Sequence, residues 1–171
     1  NPCLLAIQAV EAAGLLDTLD AAFTPSVCKG IAAYMAPAGE AADDWWIVGG
    51  GQKDTTDPKY VDEPFVAWVN DQLAANDLDP SISLLGTGYM FAYPYVEALR
   101  IAEDLPGGLN RPNFILAVRS LDIDHPMLLE GISFAASGAE DAYFIEGSDF
   151  SQFDADAQTW NIIGDIVDVN G

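Results

Sequence analysis

The sequence predicts an α/β fold, with parallel strands joined by helical crossovers and a β-rich C-terminal tail. Two short apolar runs, residues 21–24 and 45–48, each end in a polar or glycine-rich loop. Segments of helical period precede and separate them, which is the alternation of a parallel sheet. From Asp122 onward that period gives way to short strand-like runs between Gly, Ser and Asp clusters.

The first element is a helix over residues 1–14. Cys3, Leu4, Ile7, Val10 and Gly14 fall near one face at helical spacing, while Gln8 and Glu11 point elsewhere. Asn1 suits the cap, Pro2 the first turn and Gly14 the stop. Ala21, Ala22, Phe23 and Thr24 then read as a small buried strand closed by Pro25, and the loop TPSVCKG follows. In an open α/β sheet, helix N-termini and strand-end loops share the rim outside the carboxyl ends of the strands, where ligands bind. The chain has two cysteines, Cys3 and Cys28, and they stand at those two places. This rim is the expected functional centre.

Residues 30–40 form a short amphipathic piece in which Ile31, Tyr34 and Met35 are apolar and Pro37 limits the length. The strand at 45–48 runs into Gly49, Gly50 and Gly51. A turn-rich stretch over 52–60 leads to a helix over 61–75, with Val61, Phe65, Trp68, Val69 and Leu73 inward. Residues 82–85 make a brief strand or connector before the loop Gly86-Thr87-Gly88. The longest helix spans 89–105, with Ala92, Tyr95, Val96, Leu99 and Ala102 on one face; Pro94 kinks it or marks a late start. Asn110 caps a helix over 112–121 whose Phe114, Ile115 and Val118 face inward. Strands at 132–134, 142–145 and 160–167 make up the tail.

The 171 residues are enough for one domain with a real core, and half of them are apolar, which excludes disorder as a class. The formal net charge of −21 argues against nucleic-acid and membrane-surface partners, because both are anionic. No apolar run reaches membrane-spanning length, and none carries the flanks of a signal peptide. The chain begins on a helix cap with no preceding strand, which predicts the C-terminal portion of a longer fold.

Sites of familiar chemistry are scarce. No Gly-Lys-Ser/Thr follows Gly49-Gly50-Gly51, and Phe91 stands where the Gly86-Thr87-Gly88 stretch would need a third glycine. A nucleophile elbow is absent. His125, the single histidine, sits in an Asp-His-Pro turn context and is a poor catalytic candidate. Asp149, Asp154 and Asp156 read as a solvated hairpin loop rather than a calcium loop, since the EF-hand oxygen spacing and terminal Glu are missing. Two cysteines and a distant histidine do not make a metal site. The cysteines themselves read equally well as a disulfide across the rim or as two buried thiols. Neither a metal, a cofactor nor catalysis is expected.

Taken in order, several segments resemble the periplasmic solute-binding proteins of ABC transporters, in particular the branched-chain amino acid (Leu/Ile/Val) binding type. NPCLLAIQAVEAAGL is similar to the helix after a lobe-two strand, and FTPSVCKG to the next strand and its ligand-facing loop. AADDWWIVGGGQKDTTDP, GYMFAYPYVEALRIAEDL, GGLNRPNFILAVRSL and the tail ending in QTWNIIGDIVDVNG match later segments of that fold in order and spacing.

The resemblance implies the second half of a two-lobed type I periplasmic-binding-protein fold, the missing N-terminal half supplying the rest. Residues 1–83 would be part of lobe two, 84–154 a return to lobe one, and 155–171 the final crossing back. It implies a non-enzymatic protein, periplasmic or extracellular, free or lipid-anchored through a preceding segment. Its partners would be a small-molecule solute and an ABC permease, without nucleic acid and without membrane insertion. A ligand-sensing receptor domain of the same fold, or an α/β enzyme with its catalytic residues in the other half, are the alternatives. The matching ligand positions are Asn1, Pro2 and Cys3 on the first helix and Ser26, Val27 and Cys28 in the loop. An oxidised, exported protein would join Cys3 to Cys28. Ser26 replaces the acid that this type often carries, so this wall is expected to meet a polar or carboxylate-bearing part of the ligand. The alternative role for Ser26 is to cap the 29–35 segment.

Overall fold

A computed structural model describes residues 2–167. Helix α1 (Pro2–Ala12) starts on Pro2, whose missing N–H costs nothing in a first turn, and it buries Ile7. Strand β1 (Phe23–Thr24) lies parallel to β2 (Trp46–Val48), with Phe23 opposite Trp46. Between them the chain winds through a π-helical turn at Ile31–Met35 and a short kinked helix at Ala36–Ala42, where Gly39 takes a positive φ.

Helices α2 (Pro64–Ala75), α3 (Ser83–Asp104) and α4 (Arg111–Arg119) follow. The Asn110 side chain accepts from Asn113 N at 3.0 Å, so the sequence-predicted cap is in place. Of the strand or connector expected at 82–85, Ile82 is the N-cap of α3 and the rest, with the loop expected at Gly86-Thr87-Gly88, belongs to its first turns. A Cβ at Gly86 would run into the Thr55 side chain, so glycine here reflects close packing against the 54–56 loop rather than a helix break. Pro94 lies well inside α3, so it does not mark a late start.

Strands β3 (Asp122–Ile123) and β4 (Phe134–Ala135) form a small antiparallel pair. No strand forms at 142–145, although the Phe144 carbonyl accepts from Ala135 N of β4 at 3.1 Å and an isolated bridge joins Ser137 to Asp141 nearby. The polypeptide then returns to the first sheet. Strand β5 (Phe150–Asp154) pairs antiparallel with β2, and β6 (Thr159–Ile162) closes a hairpin on β5. The sheet order is β1-β2-β5-β6. It is mixed, so the parallel expectation holds only for β1 and β2. The segment boundary implied after residue 154 falls in the turn of the β5–β6 hairpin, whose two strands share one sheet with β1 and β2.

Two apolar clusters hold the chain. One gathers Ile7, Ile31, Met35, Ile47, Phe153 and Trp160 around the four-stranded sheet. The other gathers Val66, Met90, Ala98, Ala102, Leu121 and Phe134 among α2, α3, α4 and the β3–β4 pair. Both exclude large apolar side chains from water, at about 1.5–3 kcal/mol for each fully buried one.

Candidate functional site

Because β1 and β2 run parallel, the loops that leave them emerge on one rim of the sheet. The first loop tightens at once into a turn over Ser26–Cys28 after an extended Pro25. Cys28 is buried and disulfide-bonded to Cys3 in the first turn of α1, with the two Cα atoms 5.7 Å apart. The disulfide alternative is therefore the one the fold adopts, and it pins the start of α1 to the rim.

Beside this loop opens a cleft of about 230 Å³. Ser26, Val27, Lys29 and Gly30 line one side, Ser83, Leu84, Thr87 and Phe91 of α3 another, and residues 52–54 complete it. The walls pack closely at Gly30, where a Cβ would stand 2.9 Å from Ser83 Oγ. A hydrogen bond of 3.3 Å between Thr56 Oγ1 and Ser83 Oγ ties the 54–56 loop to the α3 wall.

The wall after β1 is held by buried charge. Lys29 Nζ donates to Asp149 Oδ1 at 3.0 Å and Oδ2 at 2.9 Å. Asp149, fully buried, also accepts from Gly51 N and from the Ser151 hydroxyl, so its oxygens are well satisfied. Burial pushes the Lys29 pKa down from the usual lysine range, and the facing Asp149 carboxylate pushes back up. Asp149 was expected in a solvated loop; the fold instead brings it beneath Lys29 from 120 residues away. The glycine triplet serves that arrangement. Gly49 N donates to the Asp149 carbonyl at 2.8 Å, and a Cβ on Gly49 would overlap the Asp149 carboxylate. Gly50 and Gly51 have φ of 65° and 71°, a region that favours glycine.

Two further anchors reach the same wall. Trp160 Nε1 donates to the Lys29 carbonyl at 2.8 Å, while the Trp160 carbonyl accepts from Lys59 Nζ. Asp54 Oδ2 accepts from Ile31 N at 2.7 Å, and Thr56 Oγ1 accepts from Ala32 N at 3.2 Å. The 54–56 loop thereby satisfies the first N–H groups of the π-helical turn, which has Gly30 at its N-cap and no side-chain cap. Ser26 does not perform that capping role.

Of the ligand positions implied by the resemblance, Ser26 and Val27 line the cleft. Cys28 is buried in the disulfide, Pro2 and Cys3 are not among the lining residues, and Asn1 lies outside the described residues. Lys29, Lys53, Asp54 and the α3 wall were missed. Lys29 and Lys53 were nonetheless visible as two of only six basic residues, each beside a strand-end loop. His125 is buried beside Tyr93 and Phe134, outside the cleft, so its turn does not hold it at the surface. Asp154 and Asp156 do sit around a hairpin turn, where Asp154 Oδ1 accepts from Ala157 N at 2.8 Å. Among the described residues no group of three His, Cys, Asp or Glu side chains is placed to hold a metal, and no helix is long and apolar enough to cross a membrane. Comparison with protein families, with curated proteins and with solved structures finds no match to this chain.

Proposed function

We propose that this chain binds a small polar solute in the cleft beside Ser26 and Val27, as the extracytoplasmic binding component of an ABC-type uptake system. The observation that carries the reading is the place of the cleft. It opens at the carboxyl-end rim of β1 and β2, with one wall from the sheet side and the other from α3, which packs in the second apolar cluster. A volume of about 230 Å³ suits a solute of amino-acid size rather than a polymer. The Cys3–Cys28 bond is compatible with an oxidising compartment. In this reading a preceding half of the same fold completes the cleft, and closure about the connecting segments traps the solute for a permease.

The test is a screen of amino acids, sugars and short organic acids against protein folded under oxidising conditions, read by melting temperature and then by calorimetry. A true ligand at about 100 times its Kd adds about 2.7 kcal/mol to stability. Ser26→Ala is expected to weaken its binding by about 1 kcal/mol or more, the scale of one buried hydrogen bond, with the ligand-free melting temperature unchanged. Mass spectrometry of the recovered solute should find it unmodified. Conversion to product would replace the binding reading with an enzymatic one, and unaltered affinity in Ser26→Ala would remove Ser26 from the site.

A further inference from the structure

We infer that the cleft takes a small carboxylate with an apolar body and no ammonium group, an inference that rests on the solute-binding reading above. Two of the chain's six basic residues, Lys29 and Lys53, line this one cleft in a molecule of net charge −21. The carboxylates that hold them, Asp149 and Glu63, are not among its lining residues. Lys29 Nζ places two hydrogens on Asp149, and Lys53 Nζ places two on Glu63 and the Pro126 carbonyl. An ammonium has three donors, so Lys29 retains one with no hydrogen-bond acceptor among the described residues, while Lys53 Nζ has beyond its two acceptors the weaker attraction of the Tyr60 ring, 5.6 Å away. Asp54 is the one carboxylate on the lining, and it already accepts from Ile31 N, Thr56 N and Thr56 Oγ1.

An incoming carboxylate therefore finds charge-assisted donors held in place. An incoming ammonium meets two cations and one acid already engaged with its own loop. The rest of the lining is apolar in its most accessible members. Val27, Leu84 and Phe91 are 74%, 69% and 68% exposed, and all three border the cleft. A ligand body that covers them gains by removing that surface from water.

Three probes with one carbon skeleton separate these contributions: 4-methylpentanoate, its neutral amide, and leucine, which adds the ammonium. Titration calorimetry of the intact oxidised chain should give 4-methylpentanoate the lowest Kd, by at least about tenfold over the amide, the scale of one charge-assisted hydrogen bond. Leucine should also bind more weakly than 4-methylpentanoate. The double variant Lys29→Gln with Asp149→Asn removes both buried charges together and should abolish the acid-over-amide preference. If that variant does not fold, Lys53→Gln, whose partner Glu63 is half-exposed, should reduce the preference instead. Equal binding of acid and amide, or tighter binding of leucine, overturns the inference. If 4-methylpentanoate fails while another solute of the wider screen binds, the carboxylate class falls and the solute-binding reading stands. If nothing in the screen binds, both fall.

Discussion

The carbonyl of Met90, left without a helical partner by Pro94, accepts a hydrogen bond from His125 Nε2 at 2.8 Å. Proline has no N–H, so the acceptor four residues earlier is orphaned. Helix α3 nevertheless continues through this point, because a side chain from the segment before β4 supplies the missing donor. His125 Nδ1 accepts from Met127 N at 3.1 Å, which places the ring hydrogen on Nε2.

His125→Phe should leave the Met90 carbonyl buried and unsatisfied, at a cost of about 1–3 kcal/mol in urea unfolding. Pro94→Ala restores an N–H at position 94 and gives that carbonyl its helical partner back. The double variant should then lose less than the sum of the two single changes by about 1 kcal/mol. Strict additivity would show that the two residues do not share the carbonyl.

The same histidine sets a pH dependence. Burial lowers its pKa below the ordinary 6.5, against the upward pull of its hydrogen bond to Met90. A depressed folded pKa means that the unfolded chain takes up the proton first. The stabilisation is complete above 6.5 and is lost progressively as pH falls from there toward the folded value. Urea midpoints should decline between about pH 7 and pH 5, and a variant without His125 should decline less over that interval. Parallel profiles would assign the decline to carboxylates alone.

Breaking the Lys29–Asp149 pair from one side should cost far more than removing it whole. Asp149→Leu strands a buried ammonium and is expected to lose about 3–5 kcal/mol. The double variant with Lys29→Met should recover a large part of that loss. A loss under about 1 kcal/mol in the single variant would mean that Lys29 escapes to water.

Gly86 and Gly88 should respond oppositely to alanine, although both lie near the start of α3. At Gly88 a Cβ meets nothing within 4 Å, so alanine should stabilise by up to about 1 kcal/mol through helix propensity. At Gly86 the collision with Thr55 should outweigh that gain and destabilise by about 1–3 kcal/mol. Thermal melts of the two variants give the comparison directly.

Thiol titration of the unfolded, unreduced protein should find none, since Cys3 and Cys28 are bonded. Reduction opens a loop spanning 25 residues and should lower stability by about 3 kcal/mol. Two titratable thiols before reduction would contradict the bond.

What the sequence made legible was mostly local. Pro2 at a helix start, Asn110 as a cap and the apolar runs ending in Pro25 and Gly49 all announce themselves within a few residues. Parallel β1 and β2 then follow, and with them the rim that carries Ser26 and Val27. The errors share a different cause. Asp149 reads as solvated until Lys29 is known to lie above it. Gly86 reads as a break until Thr55 is known to press against it. Residues 142–145 have strand composition and touch β4 through the Ala135 N–H on the Phe144 carbonyl, but they build no ladder there, and β5 is hard to read because its partner, β2, is remote in sequence. Lys29 stayed unremarked because a lone lysine in a loop is ordinary until a buried carboxylate fixes it against a cleft.

The pairing of β2 with β5 has a consequence for synthesis on the ribosome. Lys29 emerges 120 residues before Asp149, and strand β2 likewise precedes its antiparallel partner. At about 5–20 residues per second, the lysine waits roughly 6 to 24 s for its counter-charge to be translated. During that interval Ile47 and the rest of the sheet's inner face lack Phe153 and Trp160, which complete their cluster. The helical cluster closes from residues nearer one another in sequence and does not depend on β5 or β6. The middle of the chain, residues 66–134, can therefore pack before β5 and β6 are made, a window in which a chaperone would find the β1–β2 surface exposed.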